Sequence, residues 1–485
     1  MTDQHSYDLV VLGGGAAAFA AVTEASRRGL STAMVNAGLP IGGTCVNVGC
    51  VPSKRLLAVA ESAVAPRENP FDAVRSSDGD PTVDWAAALD GTDDLVERFR
   101  RSNYVDLADH YGTDVYEGYG RLVRDTAIEV IDGPDEGVRI AGEKVLVATG
   151  SSPSAPPVEG LDDVDYYTSE TILGERDLPD SVVVIGGGYV ALEWGQILHR
   201  VGVEVTILQR SNRVLSGMEG QLGRELQRVL GVDGIDIATD TEFERVRSPA
   251  TDGGTTSVRG DVTVETVTDG ARRDFTAESL FVATGVRPNS EGIGLDEIGV
   301  ETDSEGRVTV DEHLRTTNPD VYAAGDVIGD PELETVAAKE GNHAVKNAFG
   351  GEAVTVDYDS VPAVVFTSPE VAAVGTTERE YADEHGTCSC RTVRMEDVPR
   401  ARVVANADGL VKVVKHHETD EIVGVHMVGP RAADMISEAT LAVKFGLTVD
   451  DIIDTVHAFP TFSEAFKHAC QAFRRDTSKM SCCVE

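Results

Sequence analysis

The stretch that decides the fold is Tyr7-Asp-Leu-Val-Val-Leu-Gly-Gly-Gly-Ala-Ala-Ala18, close to the start of the chain. Its apolar first half is typical of a buried parallel strand, and the residues after the glycines favour a helix to about Arg28. In this strand–turn–helix setting, Gly13 makes the tight turn and Gly15 lets the backbone approach a pyrophosphate. Ala18 allows the helix to pack closely on the strand. The stretch therefore predicts a dinucleotide-binding unit.

The second strand of this unit, over residues 32–35, ends at Asn36. An acidic residue usually stands at this place and binds the ribose hydroxyls. Asn36 can accept a hydrogen bond but carries no charge, so we expect a weaker contact with the ribose.

A second copy of the fingerprint follows about 170 residues later. The apolar strand 181–185 leads into Gly186-Gly-Gly188 and then a helix that includes Ala191. Two such units, each between a strand and a helix, predict two dinucleotide sites.

The second strand of the second unit ends at Gln209, where an acidic residue would favour NADH. Arg210 and Arg213 lie nearby and could meet a 2′-phosphate, so we predict a preference for NADPH, with NADH possible. The alternative is that both arginines are ordinary surface charges.

Two cysteines, Cys45 and Cys50, stand in the glycine-rich stretch 42–54. Residues from Val46 onward can form a helix, which would place Cys45 near a helix N-terminus and favour its thiolate. The sequence thus predicts a reactive thiol pair; the alternative is two buried cysteines that do not react.

Composition excludes several classes of function. The chain has 485 residues, enough for roughly three domains, with 82 acidic and 42 basic residues and a net charge of −40. This charge argues against nucleic-acid binding and against docking on an anionic membrane. Acidic residues spread over the whole length resemble proteins of salt-loving organisms, in which salt screens self-repulsion. No apolar run is long enough to span a membrane, and the first strand leaves no room for a signal peptide, so we expect a cytoplasmic protein.

The rest of the chain completes a predicted α/β fold. Helices are expected over 54–64 and 83–107 with a surface loop at 66–81, and buried strands over 144–150 and 279–285 each end in Ala-Thr-Gly. A Gly325-Asp326 turn precedes a helix over 334–349. We predict two Rossmann-like domains, 1–155 with 280–350 and 156–279, and an α+β domain over 351–485.

Together these motifs resemble the pyridine nucleotide–disulfide oxidoreductases over essentially the whole chain. The resemblance implies FAD at the first fingerprint, a nicotinamide cofactor at the second, and a homodimer whose subunits share each active site. It implies that Cys50 lies nearer the flavin and that Cys45 is the exchange thiol. Lys54 would pair with Glu193 near the flavin, and Tyr189 would cover the nicotinamide pocket. The further cofactor-binding positions are Thr44, Gly150, Gly285, Asp326 and Ala337.

A segment near the C-terminus indicates the branch of this family. Disulfide reductases carry His-Pro-Thr-x-x-Glu there, and this chain has Phe459 in the histidine position, with Glu464 at the end of the motif. Phenylalanine cannot transfer protons, so it does not favour dithiol–disulfide exchange. His457 lies two residues earlier, and we expect it to have a packing or polar role rather than to replace the missing histidine.

The chain ends in Cys482-Cys483, a vicinal pair that suits a soft metal ion. With the missing histidine, this pair resembles the branch that reduces mercuric ion. We therefore expect Hg(II) to arrive as a thiol adduct on Cys482 and Cys483 and to pass to Cys45 and Cys50.

Three alternatives stay open at this point: a dihydrolipoamide dehydrogenase-like enzyme, a thioredoxin reductase-type enzyme, and a flavin-bearing thiol protein that only sequesters metal. Three further cysteines fit no motif. Cys388 and Cys390 are expected to be incidental in a polar loop, and Cys470 to be a core residue of a helix.

Overall fold

The structure, a computed structural model, describes residues 4–66, 69–71, 82–124, 126–248, 260–268 and 270–476. The chain divides into two compact units. The first comprises Met1–Arg55, Ala86–Ser154 and Gly285–Val356, and the second comprises Leu56–Trp85, Ala155–Thr284 and Asp357–Glu485. The three predicted domain boundaries stay a prediction.

The described strands are short, and the two that open the fingerprints are apolar and buried, as their sequences predict. They are β1 Gln4–Leu12, β2 Thr32–Asn36, β3 Asp114–Glu117, β4 Tyr119–Val123, β5 Ala127–Asp132, β6 Arg139–Val147, β7 Ser151–Pro153, β8 Ser181–Ile185, β9 Glu204–Leu208, β10 Asp236–Ala238, β11 Thr241–Arg247, β12 Val262–Thr268, β13 Ala271–Ala277, β14 Ser279–Val282, β15 Val286–Pro288, β16 Val321–Ala323, β17 Ala363–Val365, β18 Glu370–Gly375, β19 Cys390–Arg394, β20 Leu410–Lys415 and β21 Ile422–Gly429.

Helices follow the strands in α/β order. They are α1 Ala16–Arg27, α2 Gly43–Asn47, α3 Cys50–Val64, α4 Trp85–Arg100, α5 Asp106–Tyr111, α6 Tyr189–Arg200, α7 Gly220–Asp233, α8 Glu334–Gly350, α9 Glu378–His385, α10 Pro399–Val403, α11 Ala432–Lys444, α12 Val449–Asp454 and α13 Glu464–Gln471. A π-helical turn, Arg101–Val105, joins α4 to α5.

The first unit is built on a main sheet in the order β3-β2-β1-β6-β5-β4, with β16 beside β6, and also has a two-stranded antiparallel sheet of β7 and β15. The strands β3, β2, β1, β6 and β16 run parallel, whereas β4 and β5 form antiparallel pairs. Helices α1 and α8 pack together on one face, where their alanines join the core. The close contact requires Gly341, since a Cβ there would lie 2.0 Å from the carbonyl oxygen of Ala17.

The second unit contains three sheets. The parallel sheet β10-β9-β8-β14 carries the second fingerprint, and the antiparallel sheet β11-β12-β13 shares its hydrophobic core. The C-terminal part forms a five-stranded antiparallel sheet, β17-β18-β21-β20-β19, packed against helices. The predicted α/β class, with two Rossmann-like folds and an α+β C-terminal part, is confirmed.

Several predicted boundaries were wrong. The helix expected from 54 begins at Cys50, and the helix expected over 83–107 is α4, the π-helical turn and α5, which ends at Tyr111. Most of the predicted loop 66–81 lies outside the described residues. No helix within the described ranges is long and apolar enough to cross a membrane.

Candidate active site

The first phosphate-binding turn has the geometry that its glycines predict. Gly13 has a φ of 124°, and a Cβ there would lie 2.0 Å from the carbonyl oxygen of Ala148. Gly15 is the N-cap of α1 and makes no side-chain cap bond, so the N–H groups of the first turn are open to an anion. Asn36 lies over the middle glycine, because a Cβ on Gly14 would be 2.5 Å from the Asn36 Oδ1. This turn fits the pyrophosphate of a dinucleotide.

The other predicted FAD positions also fall in the first unit. Ala18 is fully buried on α1, and Ala337 is buried on α8. Asp326 follows β16, and its Oδ2 accepts a hydrogen bond from Ser151 Oγ at 2.7 Å. The remaining positions of this unit are Thr44 on α2, Gly150 before β7, and Gly285 before β15.

The second phosphate-binding turn repeats this geometry in the second unit. Gly186 has a φ of 127°, and Gly188 is the N-cap of α6, again without a side-chain cap bond. Ala191 is fully buried. Gln209 lies over the middle glycine, as Asn36 does in the first unit, since a Cβ on Gly187 would be 2.9 Å from the Gln209 side chain. This turn fits a second dinucleotide.

The two arginines after β9 differ in their surroundings. Arg213 Nη2 donates to the carbonyl oxygen of Ser216 at 2.8 Å, so this side chain supports its own loop. Arg210 is exposed. Arg210 is therefore better placed than Arg213 to contact a phosphate.

Cys45 and Cys50 are brought together by two consecutive helices. Cys45 lies inside the five-residue helix α2, and Cys50 is the first residue of α3. Both are free thiols; Cys45 is half-buried and Cys50 is exposed. Cys45 therefore lies in the first turn of α2, near a helix N-terminus as predicted, and Cys50 opens the longer helix. The two helices meet at a close turn at Gly49, because a Cβ added to this glycine would lie only 3.1 Å from the Cys45 Cα.

Glu334 is a third member of this site, and the sequence analysis missed it. It is the first residue of α8, and its Oε2 accepts a hydrogen bond from the Cys45 Sγ. The two sulfurs and a Glu334 carboxylate oxygen all lie within 4.8 Å of one another. In the sequence, Glu334 is recognisable only as an acidic residue at the start of a predicted helix. Nothing there connects it with Cys45, because 289 positions separate the two residues.

Tyr104 is a fourth member that the sequence analysis missed. It lies on the π-helical turn, and its hydroxyl is 3.4 Å from Glu334 Oε1. Its ring meets Phe19 edge-on with the centroids 4.9 Å apart. Burial and the nearby charge of Glu334 raise the pKa of Tyr104, so it stays a neutral hydrogen-bond donor. Single π-helical turns are frequent at functional sites, so the turn itself would have indicated Tyr104. The turn cannot be recognised in the sequence, which is why Tyr104 was missed.

The electrostatics of the thiol pair differ from the expectation. The hydrogen bond with Cys50, burial, and the charge of Glu334 together raise the pKa of Cys45 well above its ordinary value. This direction is opposite to the one that helix N-terminal N–H groups favour, and the predicted Cys45 thiolate stays a prediction. Cys45 keeps its proton on a sulfur that points at a carboxylate.

Lys54 and Glu193 are placed on different units. Lys54 lies half-buried on α3 in the first unit. Glu193 is buried on α6 in the second unit, where its Oε1 accepts the N–H of Phe366 at 2.9 Å. Tyr189 begins α6 and is 47% exposed, as a residue that covers a cofactor pocket must be. The predicted pairing of Lys54 with Glu193 stays a prediction.

The C-terminal segment places its residues in contrasting environments. Phe459 is 50% exposed, whereas Glu464 is buried, with its Oε2 accepting the N–H of Thr461 at 3.2 Å. Burial raises the pKa of Glu464. His457 Nε2 donates a hydrogen bond to Glu438 Oε1, 2.9 Å away, which is the polar role expected of it. Cys482 and Cys483 lie outside the described residues, so their role stays a prediction.

The chain matches the family described as pyridine nucleotide-disulphide oxidoreductase over residues 7–341 and the dimerisation domain of that family over residues 361–470. These two matches confirm the resemblance drawn from the motifs. The chain belongs to the pyridine nucleotide-disulphide oxidoreductases, and it is a flavin-dependent oxidoreductase enzyme. This family assignment carries FAD and a nicotinamide dinucleotide as cofactors.

Within the family, the chain is similar to mercuric reductases. It is 40% identical to that of Streptomyces lividans, covering 99% of this chain and 98% of the relative, and 38% identical to that of Bacillus cereus, covering 99% and 73%. It is 34% identical to the mitochondrial dihydrolipoyl dehydrogenase 1 of Arabidopsis thaliana, covering 96% and 90%. Its fold matches the HOCl-induced flavoprotein disulfide reductase RclA from Escherichia coli, with a TM-score of 0.84 at 24% identity over 96% of this chain and 99% of that one.

Proposed function

We propose that this protein is a mercuric reductase, which uses NADPH to reduce Hg(II) to elemental mercury. The observation that carries the proposal is the group formed by Cys45, Cys50 and Glu334, in which two sulfurs and a carboxylate oxygen converge within 4.8 Å. Thiolates are the ligands that a soft ion such as Hg(II) prefers. The similarity to mercuric reductases over nearly the whole chain supports the same choice.

The two phosphate-binding turns supply the places for the cofactors. FAD would be held by Gly13, Gly15 and Asp326, and the nicotinamide dinucleotide by Gly186 and Gly188. When bound, these groups pass two electrons from NADPH towards the thiol pair. The balance is one NADPH and one Hg(II) giving NADP⁺, one proton and one mercury atom.

The residues of the chain handle the metal and the protons. Hg(II) exchanges its incoming thiols for Cys45 and Cys50, and each cysteine must lose its proton to bind. Glu334 accepts a hydrogen bond from the Cys45 thiol, so its carboxylate is placed to take the thiol proton as the metal arrives. The two leaving thiolates collect the two protons, that of Cys45 by way of Glu334. Phe459 is tolerated because this exchange needs no acid at the histidine position.

Three finer parts of the proposal concern partners and preference. Arg210 favours NADPH over NADH, because an exposed guanidinium can pair with a 2′-phosphate. Cys482 and Cys483 collect the thiol-bound Hg(II) and pass it to Cys45 and Cys50 of the partner subunit in a homodimer. The match to a dimerisation domain supports the dimer.

The experiment is NADPH oxidation by the holoenzyme with mercuric ion, lipoamide or thioredoxin as the acceptor, in excess thiol. Oxidation driven by mercuric ion, with release of mercury vapour, is expected. A dihydrolipoamide dehydrogenase is the second candidate, because of the Arabidopsis relative, and it would consume NADH with lipoamide instead. Stoichiometric mercury binding, with no oxidation of NADPH or NADH by any of the three acceptors, would contradict both and indicate a metal-sequestering protein.

The relay from the tail has its own test. A Cys482→Ala/Cys483→Ala variant should lose activity with bulky thiol adducts of mercury and keep more of it with small ones. Full activity with bulky adducts would rule the relay out while leaving the reductase assignment intact.

A further inference from the structure

A second thiol cluster lies in the second unit, at residues that the sequence suggested were incidental. Cys388 and Cys390 have their sulfurs 3.1 Å apart. Both point at one oxygen of Glu378: Cys388 Sγ is 3.0 Å and Cys390 Sγ is 3.2 Å from Oε1. The two sulfurs and this oxygen all lie within 4.8 Å of one another. Cys388 is exposed and Cys390 is half-buried, so the cluster opens to solvent on one side.

Regular elements hold two of the three members of the cluster in place. Glu378 is the first residue of α9, which is fixed by a capping box between Thr377 and Glu380. Cys390 is the first residue of β19 and pairs with Val414 of β20. Cys388 stands two positions before Cys390, in the short connection between α9 and β19. The helix start and the sheet therefore fix Glu378 and Cys390, and the connection between them carries Cys388.

Lys412 fixes the orientation of the carboxylate. This lysine is fully buried on β20 and binds Glu378 through Oε2, while Glu219 takes a second bond from it at 2.9 Å. One oxygen of Glu378 is thus occupied by the lysine, and the other is turned towards the two sulfurs. A carboxylate held in this way is a prepared third donor beside a thiol pair.

The distances suit a thiophilic cation. Sulfur ligands lie about 2.3 Å from zinc in tetrahedral sites, which places two of them roughly 3.8 Å apart. The sulfurs of Cys388 and Cys390 need to separate by less than 1 Å from their 3.1 Å contact to reach that spacing. Soft sulfur ligands select soft ions over magnesium or calcium.

We propose that Cys388, Cys390 and Glu378 form a second metal site, which binds one thiophilic divalent cation of the zinc, cadmium and mercuric class and does not reduce it. Binding replaces two S–H bonds by two metal–sulfur bonds and releases two protons to the solvent, with no change of oxidation state. The site goes beyond the proposed reductase function, because Cys45 and Cys50 belong to the other unit.

The test uses cadmium, which the enzyme has no means to reduce. The protein is the full-length holoenzyme, in which the cysteines of the other predicted metal-binding pairs are replaced by alanine. The background variant is Cys45→Ala/Cys50→Ala/Cys482→Ala/Cys483→Ala, kept reduced and dialysed against Cd(II) with a weak competing chelator. We expect one Cd(II) per chain, with the ultraviolet absorption of cadmium–thiolate bonds. Adding Cys388→Ser/Cys390→Ser should abolish both signals, and Glu378→Gln should weaken binding by about tenfold or more.

The matched control is Cys470→Ala in the same background. Cys470 is fully buried on α13 in the same unit, so its loss should leave the cadmium content at one per chain. Flavin absorbance and circular dichroism check that each variant is folded. Cadmium retained after Cys388→Ser/Cys390→Ser, no cadmium in the background protein, or a Cys388–Cys390 disulfide that persists under reducing conditions would each overturn the site. None of these results depends on mercury-driven NADPH oxidation, so the two proposals fail separately.

Discussion

Replacing Glu334 by glutamine tests the chemistry proposed for the exchange thiol. The substitution removes the negative charge that accepts the Cys45 S–H bond and keeps the size of the side chain. A hydrogen bond to a charged group contributes about 1.5–3 kcal/mol, and about 1.4 kcal/mol corresponds to a pKa change of one. We therefore expect Glu334→Gln to lower the pKa of Cys45 by about 1 to 2.

The assay for this change is alkylation of the reduced enzyme by iodoacetamide, followed peptide by peptide so that Cys45 and Cys50 are separated. Lowering the pKa of Cys45 by one gives about ten times more thiolate at neutral pH, but each thiolate is roughly three times less nucleophilic. The net expectation is that Cys45 in the variant reacts about 3 to 10 times faster at neutral pH.

Turnover should change in the opposite direction. Without the carboxylate, no group is in place to take the Cys45 proton as mercury arrives, and loss of a general base costs roughly 100-fold. Glu334→Asp, which keeps the charge, should recover part of that loss. The control Glu352→Gln removes a carboxylate just after the same helix, where it pairs with Arg28, and should leave both readouts unchanged.

A faster-reacting Cys45 together with slower turnover is the combination that the proposal requires. If Glu334→Gln alkylated faster and also turned over faster, Glu334 would only suppress the thiolate. If neither property changed, the contact with Cys45 would have no role in the reaction.

Three further predictions follow from the same geometry. Gly13→Ala places a Cβ 2.0 Å from the Ala148 oxygen, so the purified protein should contain little flavin, as its absorbance will show. Lys412→Met leaves the buried Glu219 unpaired and should lower the free energy of unfolding by about 3–5 kcal/mol in denaturant titrations. Hydrogen bonds from Cys388 and Lys412 lower the pKa of Glu378 from 4.5 to about 2. The charged carboxylate therefore stabilises the fold above about pH 4.5, and this stabilisation is lost as the pH falls towards 2. Glu378→Gln should flatten that part of the acid-unfolding curve.

Each of the three has a matched control. Gly91→Ala in α4 meets open space and should keep its flavin. Lys444→Met breaks an exposed pair with Asp357 and should cost at most about 1 kcal/mol. Glu384→Gln removes an exposed carboxylate from the same helix as Glu378 and should leave the acid curve as it is. Equal losses in a variant and its control would contradict the corresponding argument.

The phosphate-binding turns show how much the sequence could predict. The roles of Gly13 and Gly186 depend on the few residues around each glycine, namely an apolar strand before it and a helix after it. Such local patterns are visible in a chain read in order, and the structure has both turns where they were expected. The buried position of Cys470 and the polar role of His457 were predictable for the same reason.

The protonation of Cys45 was not predictable in this way. The expectation of a thiolate relied on the nearest helix start, whereas the dominant influences on the pKa of Cys45 are Cys50, burial and Glu334. Two of these three are tertiary effects.

The sequence by itself determined the class of fold and the two phosphate-binding turns, because each is encoded by neighbouring residues, and it predicted a reactive thiol pair. Only the tertiary structure decided what surrounds the thiols. Glu334 reaches Cys45 across 289 positions, and Lys412 of β20 holds the Glu378 carboxylate that faces Cys388. Distances between side chains far apart in the chain depend on how sheets and helices pack, and it is those distances that set proton affinity and metal geometry.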